Sequence, residues 1–296
     1  MQKFGIDISR WQKEFDFVRA KEEEGAEFVI IKAGGGDSGL YKDSKFDRNY
    51  EKAKAVGLPV GAYFYGNAFS VKEAEREADK FLSILAGKAF EYPVYYDVER
   101  KMLEQNKAAL TDNILAFCEK LEQAGYFVGV YSNEYAFNHS MEDERLKKYV
   151  HWVAKYAENS PVLTSGMSIG IWQFGGEDNK LRSNKVAGVT CDQNYCYVDY
   201  PETIKLLELN GCKNVPEEPK EEPKEEPVFN PFLVRVETSY LNIRRGPGTN
   251  YATTGKYTGK GIFTIVEVQA GPGSKDGWGK LKSGAGWIAL DFAKRT

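Results

Sequence analysis

Histidines, cysteines and long apolar runs are all scarce in this chain of 296 residues. There are two histidines and four cysteines, and the closest cysteine pair, Cys191 and Cys196, has neither Cys-x-x-Cys spacing nor a pair of histidines to complete a zinc site. Four cysteines are also too few for a disulfide scaffold in a chain this long. We therefore expect reduced thiols, no metal site and no cofactor.

The chain also lacks the features of membrane and nucleic-acid-binding proteins. No run of about 18 apolar residues occurs, so we expect no membrane span. The first residues lead directly into strand-like sequence without an apolar stretch and a cleavage site, so no signal peptide is predicted. The net charge of -3 and the pI near 5.7 give no basic surface of the kind that phosphate backbones select, so nucleic acid is not an expected partner.

One segment has no apolar residue and divides the chain. Residues 216–227 repeat proline with glutamate and lysine, a composition that cannot bury surface and that favours an extended, semi-rigid spacer. We therefore predict two domains, residues 1–212 and 231–296, joined by a linker over residues 213–230.

The first domain alternates short apolar runs with helical patterns. The capping box at Ser70–Glu73, for example, precedes apolar residues on one helical face, and Cys118 lies on the apolar face of another predicted helix. Alternation at this spacing predicts parallel strands and an α/β fold, an irregular (β/α)8 barrel of the TIM type, with the irregularity after Tyr131. The eight predicted strands are Phe4–Ser9, Phe28–Ala33, Pro59–Tyr65, Pro93–Val98, Tyr126–Tyr131, His151–Tyr156, Ile169–Phe174 and Val186–Asp192.

Four carboxylates stand at the ends of predicted strands. The fourth strand ends in Asp97 and Glu99, whose i, i+2 spacing puts both side chains on one face. Asp7 lies near the end of the first strand and Asp192 near the end of the last, and these two strands are neighbours in a closed barrel. Because the cleft of such a barrel forms at the carboxyl ends of its strands, we expect the four side chains to converge there.

Clustered carboxylates suit the cleavage of a glycosidic bond. One carboxyl protonates the leaving oxygen while another stabilises the positive charge that develops at the sugar carbon. Mutual repulsion and burial raise at least one pKa, which keeps a usable acid near neutral pH. For any single residue, capping of the next helix is an equally good explanation. Four such residues at strand ends favour the catalytic interpretation.

Seven segments, in order, resemble the glycoside hydrolase family 25 lysozymes, which are N-acetylmuramidases. The resemblance covers essentially the whole first domain and implies a (β/α)8-like fold, with peptidoglycan of the bacterial cell wall as substrate. The matching segments are Gly5–Ser9, Phe28–Ala33, Gly57–Tyr65, Pro93–Glu99, His151–Tyr156, Ile171–Phe174 and Asp192–Asn194.

The resemblance also implies roles for individual residues. Glu99 would act as general acid and base, and Asp97 would orient or polarise the 2-acetamido group of the substrate, the proposed internal nucleophile. Asp7 and Asp192 would flank and shape the cleft. For Lys32, a salt bridge inside the barrel is the favoured alternative to a role in the cleft. The candidate substrate-binding residues are Tyr63, Tyr65, Trp172, Gln173 and Lys32.

The chain departs from the family after the second strand. Where the family usually has Thr- or Ser-Glu-Gly, this sequence has three glycines, Gly34 to Gly36. A polar contribution to the cleft is missing there, which affects substrate contacts more than the chemistry. We interpret the glycines as a source of backbone freedom.

The domain after the linker has short β-rich runs separated by Gly, Pro and Asn, which a small all-β barrel accommodates. Residues 240–251 and 277–288 resemble the opening and closing strands of bacterial SH3 domains, which commonly bind peptidoglycan. Tyr251 and Trp278 are weak candidates for a wall-binding groove, since in so small a domain each fits the core equally well.

The two resemblances together imply an endolysin of a phage or prophage. It would hydrolyse the β-1,4 bond between N-acetylmuramic acid and N-acetylglucosamine, be made in the host cytoplasm without a signal peptide, and be held on the wall by its SH3-like domain. Two alternatives stay open. One is a secreted bacterial autolysin of the same chemistry, and the other is a non-catalytic wall-binding protein with a degenerate barrel.

Overall fold

A computed structural model describes residues 2–213 and 229–296 of the chain. The chain divides into two compact units, residues 1–215 and residues 216–296. The predicted spacer over residues 216–227 lies outside the described residues. None of the helices in the described ranges is both long and apolar enough to cross a membrane.

The first unit alternates strands with helices over most of its length. Two short 3-10 segments, Arg10–Gln12 and Arg100–Glu104, follow the first and fifth strands. The helices α1 to α7 are Phe17–Glu22, Phe46–Ala55, Val71–Leu85, Lys107–Gln123, Glu134–His139, Asp143–Leu146 and Tyr200–Leu206. The strands β1 to β11 are Lys3–Ile8, Phe28–Gly35, Tyr41–Lys42, Val60–Tyr65, Val94–Asp97, Val128–Asn133, Val150–Ala154, Ile169–Gly175, Lys185–Val186, Val189–Thr190 and Asp192–Cys196.

Eight of these strands close into a barrel in the order β1-β11-β8-β7-β6-β5-β4-β2, with β2 pairing again with β1. The predicted α/β barrel is confirmed, but its eighth strand was placed wrongly. That strand is β11, which begins at Asp192 and runs antiparallel to both β1 and β8. The predicted strand over residues 186–192 is instead the small hairpin β9–β10, because Ala187 and Gly188 take positive φ angles of 52° and 77° and reverse the chain.

The second half of the barrel is poor in helix, as the sequence predicts. Helices α5 and α6 have six and four residues, and no helix lies between β7 and β8, a stretch that the structure describes in full. The first half has the two longest helices, α3 and α4, and a side chain caps the start of each. The Ser70 hydroxyl accepts the Glu73 backbone N–H at the start of α3, and Phe81 and Leu85 of that helix are buried against the barrel.

The alternation of side chains along each strand separates two cores. One core fills the inside of the barrel and includes Phe28, Tyr95, Trp152 and Ile171. The other lies between the barrel and the helices and includes the neighbouring strand residue Trp172. On each strand, therefore, every second side chain points into the barrel, and the side chains between them point toward the helices.

The second unit is all β in its described residues 229–296, as predicted, apart from the 3-10 segment Leu290–Phe292. Its seven strands form one sheet in the order β14-β13-β17-β16-β15-β12-β18, around a core that includes Val234, Ile265 and Ile288. Strands β12 to β18 are Phe232–Val236, Asn242–Arg244, Thr253–Tyr257, Gly261–Gln269, Trp278–Leu281, Trp287–Ala289 and Ala293–Arg295.

Candidate active site and C-terminal groove

The four candidate carboxylates lie at one end of the barrel. Asp7 is the next-to-last residue of β1, Asp97 is the last residue of β5, and Glu99 follows Asp97 by two positions. Asp192 is the first residue of β11, and it pairs directly with Asp7. Because β11 is antiparallel to its neighbours, its start lies at the end of the barrel where the parallel strands finish. The reversed strand thus delivers Asp192 to the same place that a parallel strand would have reached with its last residue.

Asp7 is held by two buried amides. Its Oδ2 atom accepts hydrogen bonds from Gln173 Nε2 at 3.0 Å and from Asn194 Nδ2 at 2.8 Å, and the side chain is buried. Burial raises the pKa of Asp7 to about 6, although these two hydrogen bonds oppose the shift. The amides therefore fix the orientation of a carboxyl that loses its proton only near neutral pH.

Asp97 and Glu99 interact through their charges. Asp97 is buried, and its Oδ1 atom has no hydrogen-bond partner among the described residues. Burial, followed by the charge of Glu99, raises the pKa of Asp97 well above its usual value. Burial also raises the pKa of Glu99. Because the charge of Glu99 acts on Asp97, the protonation of one carboxyl depends on that of the other.

Glu99 is the more accessible member of the pair. Its side chain is 29% exposed, and it makes no capping bond to the 3-10 segment that follows it. The guanidinium of Arg100, with Nε 3.6 Å from Glu99 Oε2, opposes the rise in the pKa of Glu99, as does Lys32. Arg100 has a positive φ of 50°, a backbone conformation that non-glycine residues rarely adopt. Glu99 therefore does not serve as a helix cap, the alternative role considered for each of these carboxylates.

Asp192 completes the cluster. Burial and the negative charge of Asp7 raise the pKa of Asp192 to about 8. The Tyr156 hydroxyl lies 3.5 Å from Asp192 Oδ1 and 3.1 Å from Gln173 Oε1, so it links two sides of the site. In the described residues, no group of three or more His, Cys, Asp or Glu side chains is arranged to hold a metal ion.

Tyr63, Tyr65 and Lys32 lie beside the carboxylates. Burial, followed by the charges of all four carboxylates, raises the pKa of the Tyr63 phenol well above its usual value, which places this ring among them. Lys32 Nζ lies 4.5 Å from the centre of the Tyr65 ring and 5.9 Å from that of Tyr63. Among the described residues Lys32 makes no ion pair within 4.0 Å, so the predicted salt bridge is not formed at that distance. Its charge still lowers the pKa values of both Asp97 and Glu99.

Gln173 reaches the site, but Trp172 does not. The side chain of Trp172 lies on the opposite face of β8, where it is 4% exposed, donates its Nε1–H to the Lys155 carbonyl at 2.8 Å, and packs against Phe174 and Tyr195. The expectation that Trp172 lines the sugar subsites is therefore corrected. Adjacent strand residues point to opposite faces, and Gln173 takes the interior position.

Sequence reasoning did not assign roles to three residues that support the carboxylates. Trp152 donates its Nε1–H to Asn194 Oδ1 at 2.8 Å, and Asn194 in turn donates to Asp7. The Tyr131 hydroxyl donates to Gln173 Oε1 at 2.8 Å. Both Trp152 and Asn194 lie in segments that resemble the family. The signal that could have identified them is the alternation of side chains along each strand, which determines which residues point into the barrel.

The three glycines at the end of β2 allow the close approach of other residues and do not adopt a left-handed backbone. None of Gly34, Gly35 and Gly36 has a positive φ. A Cβ atom on Gly36 would lie 1.9 Å from Glu77 Oε1, a carboxylate oxygen that accepts the Asn67 backbone N–H at 2.9 Å. The interpretation as backbone freedom is therefore wrong at these positions. The carboxylate of Glu77, a buried residue of α3, occupies the space beside Gly36, and Tyr41 occupies the space beside Gly34 and Gly35.

The C-terminal unit has a groove of about 300 Å³. Trp278 lines the groove and is 3% exposed, with its Nε1–H directed at the Pro272 carbonyl at 3.2 Å. Tyr251 is 43% exposed but packs against Gly246 outside the groove lining. Tyr240 and Phe292, which sequence reasoning missed, line the groove and are 76% and 60% exposed.

Comparisons with known proteins agree with this geometry. Residues 6–181 match the sequence model of glycosyl hydrolases family 25. An autolytic lysozyme of Clostridium acetobutylicum is 31% identical over 157 residues, which are 53% of this chain and 46% of that protein. The chain spans about half the length of the curated relatives it matches.

Two solved structures are similar to the barrel unit. The CTP1L endolysin superposes with a TM-score of 0.57 at 27% identity, covering 70% of this chain and 69% of that one. A modular autolysin of Streptococcus pneumoniae, solved with a synthetic peptidoglycan ligand, superposes with a TM-score of 0.58 at 24% identity, covering 66% and 47%. The second likeness shows the fold alone.

Proposed function

Because the chain belongs to glycosyl hydrolases family 25, we propose that it is a muramidase that cleaves the β-1,4 bond between N-acetylmuramic acid and N-acetylglucosamine in peptidoglycan. The observation that carries the proposal is the meeting of four carboxylates from β1, β5 and β11 at one end of the barrel, with raised pKa values. A glycosidase needs such a cluster, because one carboxyl must still hold a proton near neutral pH.

We assign the proton donor to Glu99. Its side chain is 29% exposed and free of capping bonds, whereas Asp97 beside it is buried. An acetamido N–H of the substrate that bonds to Asp97 would favour the ionised form of Asp97, and that negative charge would favour the protonated form of Glu99. The proton would then reside on Glu99, which would face the glycosidic oxygen.

The closeness of Asp97 and Glu99 supports an internal nucleophile. In a retaining enzyme with a protein nucleophile the two carboxyls stand about 5–5.5 Å apart, and in an inverting enzyme about 6.5–9.5 Å, on opposite faces of the sugar. Asp97 ends β5 and Glu99 follows it by two positions, a spacing that puts both side chains on the same side of the cleft and not on opposite faces of a sugar ring. The acetamido oxygen of the substrate would therefore attack its own anomeric carbon while the glycosidic bond breaks and Glu99 gives its proton to the leaving oxygen. Glu99 would then deprotonate the water that opens the cyclic intermediate.

The remaining residues hold this arrangement in place. Asp7, fixed by Gln173 and Asn194, and Asp192, beside Tyr156, would flank the sugar at the site of cleavage. Tyr63, Tyr65 and Lys32 would line the pocket on the β2–β4 side.

The expected products provide the direct test of the reaction. Purified peptidoglycan is digested with the full chain, the new reducing ends are reduced with borohydride, and the sugars are identified by mass spectrometry. We expect muramitol, because cleavage after N-acetylmuramic acid leaves that sugar at the reducing end. Glucosaminitol in its place would show a glucosaminidase, and no new reducing ends would favour a wall-binding protein without catalysis.

We also propose that the C-terminal unit is an SH3-like module that retains the enzyme on the wall, and that the protein acts as an endolysin, reaching the wall from the host cytoplasm. The likeness to the CTP1L endolysin supports the second part. The groove with exposed Tyr240 and Phe292 supports the first, since exposed aromatic rings beside a buried tryptophan form a contact surface for an extended polymer.

Removal of residues 231–296 should weaken attachment without removing the chemistry. A second tethered contact raises the effective concentration of the barrel at the polymer, so we expect at least about a tenfold loss of binding in sedimentation with insoluble walls. Hydrolysis of soluble wall fragments should change little. Tyr240→Ala should reproduce part of the loss, whereas Ile262→Ala, which removes an equally apolar, 52% exposed side chain outside the groove lining, should not. Unchanged sedimentation after the deletion would contradict the anchor role.

A further inference from the structure

A second groove, of about 1140 Å³, opens directly from the carboxylate cluster. Asp192 and Tyr156 form its inner end, and Arg100, which lies 3.6 Å from Glu99, borders it as well. One wall is the 3-10 segment after β1, with Trp11, and the residues that follow it. The other wall is the β9–β10 hairpin.

Two hydrogen bonds hold the hairpin wall. Its turn residue Ala187 donates its backbone N–H to Glu24 Oε1, after α1, at 3.0 Å, and Gln12 Nε2 of the other wall donates to the Thr190 carbonyl at 3.4 Å. Hydrogen bonds therefore hold the hairpin in place and connect the two segments that line the groove.

The lining of this groove is charged, with both signs present. Lys13 and Lys185 are exposed and make no ion pair within 4.0 Å in residues 2–213, which the structure describes. Glu177 and Asp178, which also line the groove, are exposed and make no such ion pair either. Glu177 lies near enough to Asp192 to raise its pKa, so the anionic part of the lining begins beside the catalytic cluster.

A strand of N-acetylated sugars is uncharged along its rings, so the rings offer no group that could form an ion pair with these side chains. The muramyl sugar, however, carries a stem peptide on its lactyl group, and that peptide has free carboxylates and, at its diamino acid, a free amine. Lys13 and Lys185 would form ion pairs with the carboxylates of the peptide, and Glu177 and Asp178 would form them with its amine. The ring of Trp11, which is 72% exposed, offers an apolar face for the aliphatic part of the peptide.

We propose that this groove binds the stem peptide of the muramyl residue being cleaved, so that the barrel recognises the peptide as well as the glycan. The proposal rests on the proposed function, since it takes the muramyl sugar to lie at the carboxylates. Arg100, which lines the groove and lies 3.6 Å from Glu99, would then pair with the first carboxylate of the stem.

The test compares two polymers and two variants of the full chain. The polymers are cell-wall sacculi with intact stems and the same sacculi stripped of stems by an N-acetylmuramyl-alanine amidase. We expect K13E/K185E to lose about tenfold in rate on intact sacculi and less than about twofold on stripped glycan. The control K147E changes the charge of an exposed lysine on the segment that leads into the start of β7, away from the groove, and should match the wild type on both. Equal losses on both polymers, or no loss on either, would overturn the proposal.

A binding measurement separates this inference from the muramidase assignment. The synthetic tetrapeptide L-alanyl-γ-D-glutamyl-L-lysyl-D-alanine is titrated into the full-length protein while the Trp11 indole N–H signal is followed by NMR. We expect the signal to shift at millimolar peptide in the wild type and to stay fixed in K13E/K185E. A shift in a protein that cleaves neither polymer would keep the groove and reject the muramidase. No shift at Trp11 would reject the groove even if both polymers are cleaved.

Discussion

Glu99→Gln is expected to abolish hydrolysis of peptidoglycan while the protein stays folded and still sediments with cell walls. Glutamine has nearly the same shape as glutamate but cannot give a proton to the leaving oxygen. General acid catalysis contributes about 10²–10⁴-fold, and the same residue also serves as base in the second step, so we expect a loss of at least about 10³-fold in kcat. The release of reducing ends from soluble wall fragments measures this loss without the contribution of wall attachment.

The matched control for this variant lies on the 3-10 segment that follows Glu99. Glu104→Gln makes the same chemical change at an exposed position five residues later, and we expect it to keep wild-type activity. The free energy of unfolding of the Glu99→Gln barrel should be unchanged or slightly higher, because a half-buried carboxyl with a raised pKa is replaced by a neutral side chain. Activity within tenfold of the wild type would show that the proton donor has been assigned wrongly.

The barrel and the position of its acids could be predicted because they depend on local patterns. Short apolar runs ending in carboxylates give both the strand and the end of the barrel to which each acid belongs. Asp7, Asp97 and Glu99 follow this rule directly. Asp192 reaches the same place for a different reason, since its strand begins there and runs in the opposite direction. Nothing in the residues near Asp192 specifies the direction of a strand, which depends on pairing with β1 and β8.

The face on which a side chain lies was harder to predict than the strand itself. Trp172 and Gln173 are adjacent, and an error of one position exchanges the core for the cleft. The supporting tryptophan is Trp152, which comes from a different strand and holds Asn194. The requirement for Gly36 could not be predicted either, because it arises from Glu77, a residue about 40 positions later whose carboxylate fills the space of a side chain. Both features depend on contacts between segments that are distant in sequence.

The buried acids should make the barrel less stable as the pH rises. Burial raises the pKa of Asp7 to about 6 and that of Asp192 to about 8, and it raises the pKa of Asp97 further above its usual value. The folded state therefore binds more protons than the unfolded state above the unfolded pKa of about 4. The free energy of unfolding then falls with rising pH, and the loss continues up to the folded pKa values. Glu77, whose pKa burial raises to about 7, acts in the same direction.

Asp97→Asn should accordingly make the barrel more stable and the enzyme much less active. The change removes the ionisable group with the least compensated burial, whose Oδ1 atom has no partner among the described residues. At pH 8 we expect the Tm of the barrel transition to rise by about 2–4 °C, the shift that about 1 kcal/mol produces in a domain of this size. Activity should fall by about 10²-fold, because asparagine carries no negative charge with which to polarise the acetamido group of the substrate.

Calorimetry between pH 5 and pH 8 distinguishes this explanation from a general effect of removing an acid. The Tm of the wild type should fall across this range, and that of Asp97→Asn should fall less. Asp79→Asn, which removes a 61% exposed carboxylate paired with Lys120 at 2.7 Å, should keep the wild-type slope. If Asp97→Asn lowered the Tm, or left its pH dependence unchanged, the carboxyl of Asp97 would be an ordinary ionised group. The protonation of Glu99 would then have to depend on another member of the cluster.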